Sequence, residues 1–215
     1  MKRILTGIQD KERFGRNWKI HFLIATVLAC AAARPLHAQD QSGWPAIPAE
    51  DLALKDNAAK AGSSAMIWLK KETRDDVKRT WETFYRIKIF TENGRDYGDI
   101  QIPYVPKAVE VSEISARVVQ ADGRASEFKG PIYEKTLARR QKTRVMAKTF
   151  TLPDVKPGVI VDYRYVLKSK SDAPSRGAWV IQEKLFIRRA DVEWRPTMDS
   201  IGWLASPRSL PWHKL

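Results

Sequence analysis

One cysteine and three histidines are all that this 215-residue chain holds of the residues behind most metal and thiol chemistry. Zinc sites draw three or four ligands from His, Cys and carboxylates, and a histidine-activated nucleophile needs an imidazole within reach. Cys30, His21 and His37 crowd toward the N-terminus and His213 stands close to the C-terminus. Neither chemistry has its residues here. No glycine pattern of the Rossmann or phosphate-loop kind occurs, and no internal repeat. The longest nearly unbroken apolar stretch, from Ile20 to Ala33, falls short of the ~20 residues that span a bilayer. No cofactor is expected. What the chain does have is positive charge, Lys+Arg 38 against Asp+Glu 25 for a net +13, and a hydrophobic content of 43% that supports an ordered core.

The first 38 residues read as an address. Lys2, Arg3, Lys11, Arg13, Arg16 and Lys19 form a basic leader, the apolar run follows, and Leu36-His37-Ala38 offers a small residue just before Gln39. That order is the pattern of a secretory signal peptide, with cleavage after Ala38. Two alternatives stand beside it: an uncleaved inner-membrane anchor over residues 20–33, and lipidation at Cys30 after Val27-Leu28-Ala29. Cleavage removes Cys30, His21 and His37 and leaves a basic, cysteine-free chain, periplasmic or secreted. Without disulfides such a domain rests on its own core.

The rest predicts strands. Residues 39–60 read as a linker or short helix, 61–196 as the folded domain and 197–215 as a tail. Trp81, Thr83, Tyr85, Ile87 and Ile89 alternate with Glu82, Arg86 and Lys88, predicting a half-buried strand with one wet face. Asn93-Gly94 predicts a hairpin turn, and Ile100, Ile102 and Tyr104 a returning strand that Pro103 confines to an edge. Val109 and Val111 lie out of phase with Ile114, Ala116 and Val118, the signature of a bulge or break. Asp122-Gly123 marks a second hairpin. Met146 to Leu152, Val159 to Leu167 and Trp179 to Ile187 read as further strands. The predicted class is mainly β, an antiparallel β-sandwich or open barrel-like sheet, preceded by the signal helix.

Candidate sites are few. Glu50-Asp51, Asp75-Asp76, and Asp96 with Asp99 could do acid–base work as carboxylate pairs, yet adjacent acids in turns more commonly cap a loop. Lys135, Arg139, Arg140, Lys142 and Arg144 form an acid-free basic run, either a solvated connection between strands or a site for an anionic glycan or lipid headgroup. Export disfavours nucleic acid, and contact with a membrane would come only through an uncleaved signal segment. Of the tryptophans, Trp68, Trp81 and Trp179 fall within strand patterns and read as core, whereas Trp203 and Trp212 sit in the tail.

Three stretches carry a resemblance. They are Lys88 to Tyr97, Ile114 to Gly123, and Lys148 to Gly158 continuing through Asp162-Tyr163-Arg164-Tyr165. Taken in order they resemble the domain of unknown function 3857, a β-rich domain that in exported bacterial proteins usually precedes a transglutaminase-like domain. The resemblance covers about Asp51 to Pro196. It implies a β-rich fold and a Cys-His-Asp site in the following domain; the residues after Pro196 hold no cysteine, so no catalytic residue carries over. The expectation is an exported, non-catalytic accessory or binding module whose partner is another protein domain or a cell-envelope polymer. The alternatives are a fragment of a transglutaminase-like or peptidase-like enzyme, or an anion binder acting through residues 135–144.

Overall fold

A computed structural model describes residues 43–140, 143–171, 179–180 and 182–197. The signal segment, Lys142 and nearly all of the tail lie outside the described residues. Residues 43–46 belong to an N-terminal unit and form no helix or strand; the other described residues lie in the unit that begins at Ile47.

That unit runs α1 (Ala49–Ala53), β1 (Ala65–Asp75), β2 (Thr80–Ile89), a 3-10 helix (Glu92–Gly98), β3 (Asp99–Tyr104), β4 (Val109–Val119), β5 (Ala125–Glu127), β6 (Tyr133–Arg140), β7 (Thr143–Thr151), β8 (Ile160–Ser169) and β9 (Ala190–Arg195). The strands make a six-stranded sheet in the order β5-β4-β8-β2-β1-β9 and a three-stranded sheet in the order β3-β7-β6. One core joins them. Ile87 and Ile89 of β2, Val118 of β4 and Val161 of β8 pack with Ile100 and Ile102 of β3 and Phe150 of β7. Burying each such side chain stabilises the fold by about 1.5–3 kcal/mol. The mainly β class is the one the alternation implies, as a two-sheet sandwich with no closed barrel among the described residues.

Several local expectations hold. Pro103 lies on an edge strand of the smaller sheet. The phase slip after Val111 is a bulge in β4 between Ser112 and Ser115, and Asp122-Gly123 turns β4 into β5 with Gly123 at φ 86°. Others need correction. Asn93-Gly94 is part of the 3-10 helix, and β3 pairs with β7 rather than returning along β2. Described residues between Trp179 and Arg189 form no strand; Ile187 makes a single bridge to Ile67. The last strand is β9, and it pairs parallel to β1, so the larger sheet is mixed.

The far face of the larger sheet is not wet. Arg86 and Lys88 are among the most deeply buried side chains, with Asp162 and Arg117 beside them. Arg86 donates through Nε and Nη2 to the two Asp162 oxygens at 2.9 and 3.0 Å, and Arg117 donates through Nε at 3.1 Å. The chain around α1 covers this layer: the Lys88 ammonium donates to the Leu52 and Gly158 carbonyls, both at 2.7 Å. Burial pulls the Lys88 ammonium below the usual lysine range and pushes the Asp51 carboxyl above its own. Alternation could not reveal this, because arginine or lysine at an outward position reads the same whether water or α1 lies beyond it.

Candidate functional site

A bulge in β1 builds the site. Ile67 stands opposite Ile87 and Leu69 opposite Arg86, so the register slips at Trp68. Before the slip Ala65 and Ile67 face the core. After it Lys70, Glu72 and Arg74 do, opposite Tyr85, Thr83 and Trp81. One extra residue thus turns three charged side chains onto the inner face of the larger sheet.

The resulting rows cross four strands. Val192, Glu72, Thr83 and Tyr165 form one, and Trp194, Arg74, Trp81 and Leu167 the next. Together with Trp179, these residues from Glu72 to Leu167 on β1, β2 and β8 wall a partly open cavity of about 210 Å³. Trp179 meets Trp194 edge to face, with ring centroids 6.2 Å apart. Trp81 and Trp179 are half-exposed, so the expectation that they are core residues is corrected: they line a cavity.

Beside the cavity lies a polar cluster. The Lys70 ammonium donates to Glu183 Oε1 at 2.8 Å and to the Val180 carbonyl at 2.9 Å, and it pairs with Glu72 Oε1 at 3.0 Å. The Tyr85 hydroxyl donates to the same Glu183 oxygen at 2.7 Å, and its ring stacks on Tyr163 with centroids 4.9 Å apart. Burial alone would lower the Lys70 ammonium, but its bonds to Glu183 and Glu72 outweigh that and hold it above the usual lysine range. Tyr85, Tyr163 and Tyr165 are all raised, chiefly by burial, so these phenols stay protonated. Arg74 is engaged elsewhere: its Nε donates to Asp76 Oδ1 at 2.7 Å, and Trp194 Nε1 donates to the other Asp76 oxygen at 2.8 Å. Among the described residues no group of three or more His, Cys, Asp or Glu could hold a metal ion. The cluster offers hydrogen bonds, aromatic faces and one ammonium held between two carboxylates.

The basic run is divided by a bulge in β6. Its described residues lie on strands, since β6 and β7 pair antiparallel over them. Arg139 stands directly opposite Arg144, but Lys135 stands opposite Ala147, and a bulge between Thr136 and Ala138 puts Lys135 on the other face. Arg140 pairs with Thr143, and Lys142 lies outside the described residues. Of the suggested carboxylate pairs, Asp75 and Asp76 separate: Asp75 accepts from the Lys78 backbone while Asp76 takes Arg74 and Trp194. Asp99 accepts from the Thr151 hydroxyl at 2.6 Å, and Asp51 is buried under the far face. Sequence reasoning passed over Lys70, Glu72, Tyr85 and Glu183. The apolar run Ala65 to Leu69, too continuous for strict alternation, was the one signal of the bulge that gathers them.

Fold and cavity together define a two-sheet β domain with an aromatic-walled recess on its inner face. The family DUF3857, described as a domain of unknown function with a solved structure, matches residues 75–204, more than half of the chain, and the chain belongs to that family. No curated protein matches it. Among solved structures it is similar to a crystal structure described as a putative protease from Parabacteroides distasonis, at 16% identity and a TM-score of 0.51, over 62% of this chain and 29% of that one. The likeness is one of fold, and the chain spans less than a third of that protein's length. A two-domain M1 zinc metallopeptidase with bound L-tryptophan aligns at 8% identity and a TM-score of 0.25, over 59% of this chain and 25% of that one.

Proposed function

We propose that this chain is an exported, non-catalytic binding module whose binding surface is the recess between β1, β2, β8 and Trp179. One observation carries the reading. The recess presents Trp81, Tyr165 and Trp179, while the charged groups in and beside it are tied to one another. Half-exposed Trp and Tyr with a paired Arg are the composition of a recognition surface, whereas catalysis needs an acid, base or nucleophile placed to reach a reacting atom. Here the Lys70 ammonium and the Tyr85 hydroxyl both bond Glu183 and stay protonated, so neither serves as a base or nucleophile. Export rests on the basic leader, the apolar run and Ala38.

Purified protein should turn over no peptidase, transglutaminase or glycosidase substrate; turnover abolished by a point substitution would overturn the reading. Mass spectrometry of the chain recovered from a bacterial host should give Gln39 as the first residue; an intact N-terminus on chain found in the membrane would replace cleavage by the anchor over residues 20–33, and an intact N-terminus on chain found only in the cytoplasm would remove the export step.

A second reading, an anionic glycan or lipid headgroup on the β6–β7 hairpin, rests on Arg139 lying opposite Arg144. A shared anion relieves such a like-charge pair. Substituting both by Gln should lower retention on anionic beads at low salt; unchanged retention would dismiss it.

A further inference from the structure

The geometry points to a particular ligand, and this step rests on the binding-module reading: we infer that the recess takes the basic side chain of a lysine or arginine carried on a partner polypeptide. Three observations converge on a cation. Trp81, Tyr165 and Trp179 wall the space, and aromatic faces attract ammonium and guanidinium groups through the ring quadrupole. Glu72 lines the same space, and it shares the single Lys70 ammonium with Glu183, so two carboxylates meet one cation and a negative charge is left over. Arg74 does not cancel it, because Asp76 pairs with its guanidinium. The domain already places cations against rings here: Lys70 Nζ lies 5.3 Å from the Tyr85 centroid, and the Arg74 guanidinium 5.7 Å from that of Trp194.

Size and surroundings narrow the choice to a side chain on a polypeptide. At about 210 Å³ the recess falls below the roughly 300–1,000 Å³ that encloses a drug-sized ligand. It suits the end of one long side chain. Val180 and Val192, both exposed, stand next to Trp179 and Glu72 in chain and register, where the residues flanking an inserted side chain would rest. β9 is also the edge of the larger sheet, with main-chain groups that an extended segment can pair. A free ammonium compound would use the rings and leave these valines and this edge unused. The chain keeps a net positive charge even without its basic leader and does not draw cations from a distance, so recognition is short-range.

The test is titration calorimetry on the exported chain at physiological ionic strength, with nine-residue peptides that alternate valine and serine around one central residue. Lysine and arginine peptides should bind. The norleucine peptide, equal in length but uncharged, should bind at least tenfold more weakly, and tetramethylammonium alone more weakly still. Trp179→Ala, on a segment outside the strands, and Glu72→Gln should each weaken the lysine peptide by tenfold or more with an unchanged circular dichroism spectrum. Equal binding of the lysine and norleucine peptides would overturn the cation while leaving the binding module standing. Tetramethylammonium binding as tightly as the lysine peptide would overturn the polypeptide. Lysine-peptide binding indifferent to Trp179→Ala and Glu72→Gln would overturn the location.

Discussion

Arg86 and Asp162, on neighbouring strands of the larger sheet, form a two-point ion pair with the aspartate fully buried and the arginine nearly so. Arg117 reaches the same carboxylate from the other side at 3.0 Å. Removing one member of such a buried set strands the charges that remain. Asp162→Asn should therefore cost about 3–5 kcal/mol in urea unfolding. Replacing Arg86, Asp162 and Arg117 together by apolar residues of similar volume should recover most of that loss. A single variant that loses under about 1 kcal/mol would show that water reaches the layer.

The alkaline limit follows from the tyrosines. Tyr85, Tyr163 and Tyr165 have folded-state pKa values raised above the ordinary 10.0. Above that pH the unfolded chain releases phenolic protons that the folded chain keeps, so stability falls as pH rises. Lys70 acts in the same sense: its stabilising share is complete below 10.5 and is lost as pH climbs through its raised folded value. Absorbance at 295 nm and far-ultraviolet circular dichroism, followed together, should show that these three tyrosines ionise only with unfolding. Their ionisation within a retained fold would contradict the assigned burial.

The central strands of the larger sheet were legible in the alternation of β2, β4 and β8, because one face of each strand meets the core and turn residues punctuate the ends. The recess was not, because it depends on the register slip at Trp68, which changes the facing of every residue from Leu69 on without changing composition. Nor was the covering of the far face, which depends on α1 meeting Lys88 from 36 positions earlier in the chain. The parallel pairing of β9 was equally hidden, since the strand pattern of Trp179 to Ile187 falls where the described residues form no strand and Ile187 makes a single parallel bridge to Ile67.

Gly94 shows a motif read for the wrong reason. Asn93-Gly94 suggested a turn needing positive φ, yet Gly94 is not among the residues with positive φ. What it needs is space: a β-carbon there would collide with the Ser64 carbonyl oxygen, which accepts bonds from the Phe90 and Thr91 backbones at 2.9 and 3.2 Å. The obstruction is backbone and cannot rotate away. Gly94→Ala should cost about 1–3 kcal/mol of stability, with faster amide exchange at Phe90 and Thr91. If exchange there is unchanged, the contact is not what selects glycine.

The facing arginines of the β6–β7 hairpin give the last test, and its sign is opposite to that of most substitutions. Arg139 and Arg144 are exposed, directly paired and alike in charge, an arrangement that weakens a hairpin. Arg144 is partly engaged, donating through Nη2 to the Thr136 hydroxyl at 2.7 Å, but that bond leaves its charge in place. Arg139→Glu turns repulsion into attraction and should stabilise the protein by about 0.2–1 kcal/mol. The gain should shrink as salt rises, since exposed charges are screened over roughly 8 Å at physiological ionic strength. Thermal unfolding at low and high salt reads both effects. A loss of stability on Arg139→Glu in the absence of anions would mean that Arg139 makes a favourable contact in the folded chain, and the anion reading of this hairpin would lose the repulsion on which it rests.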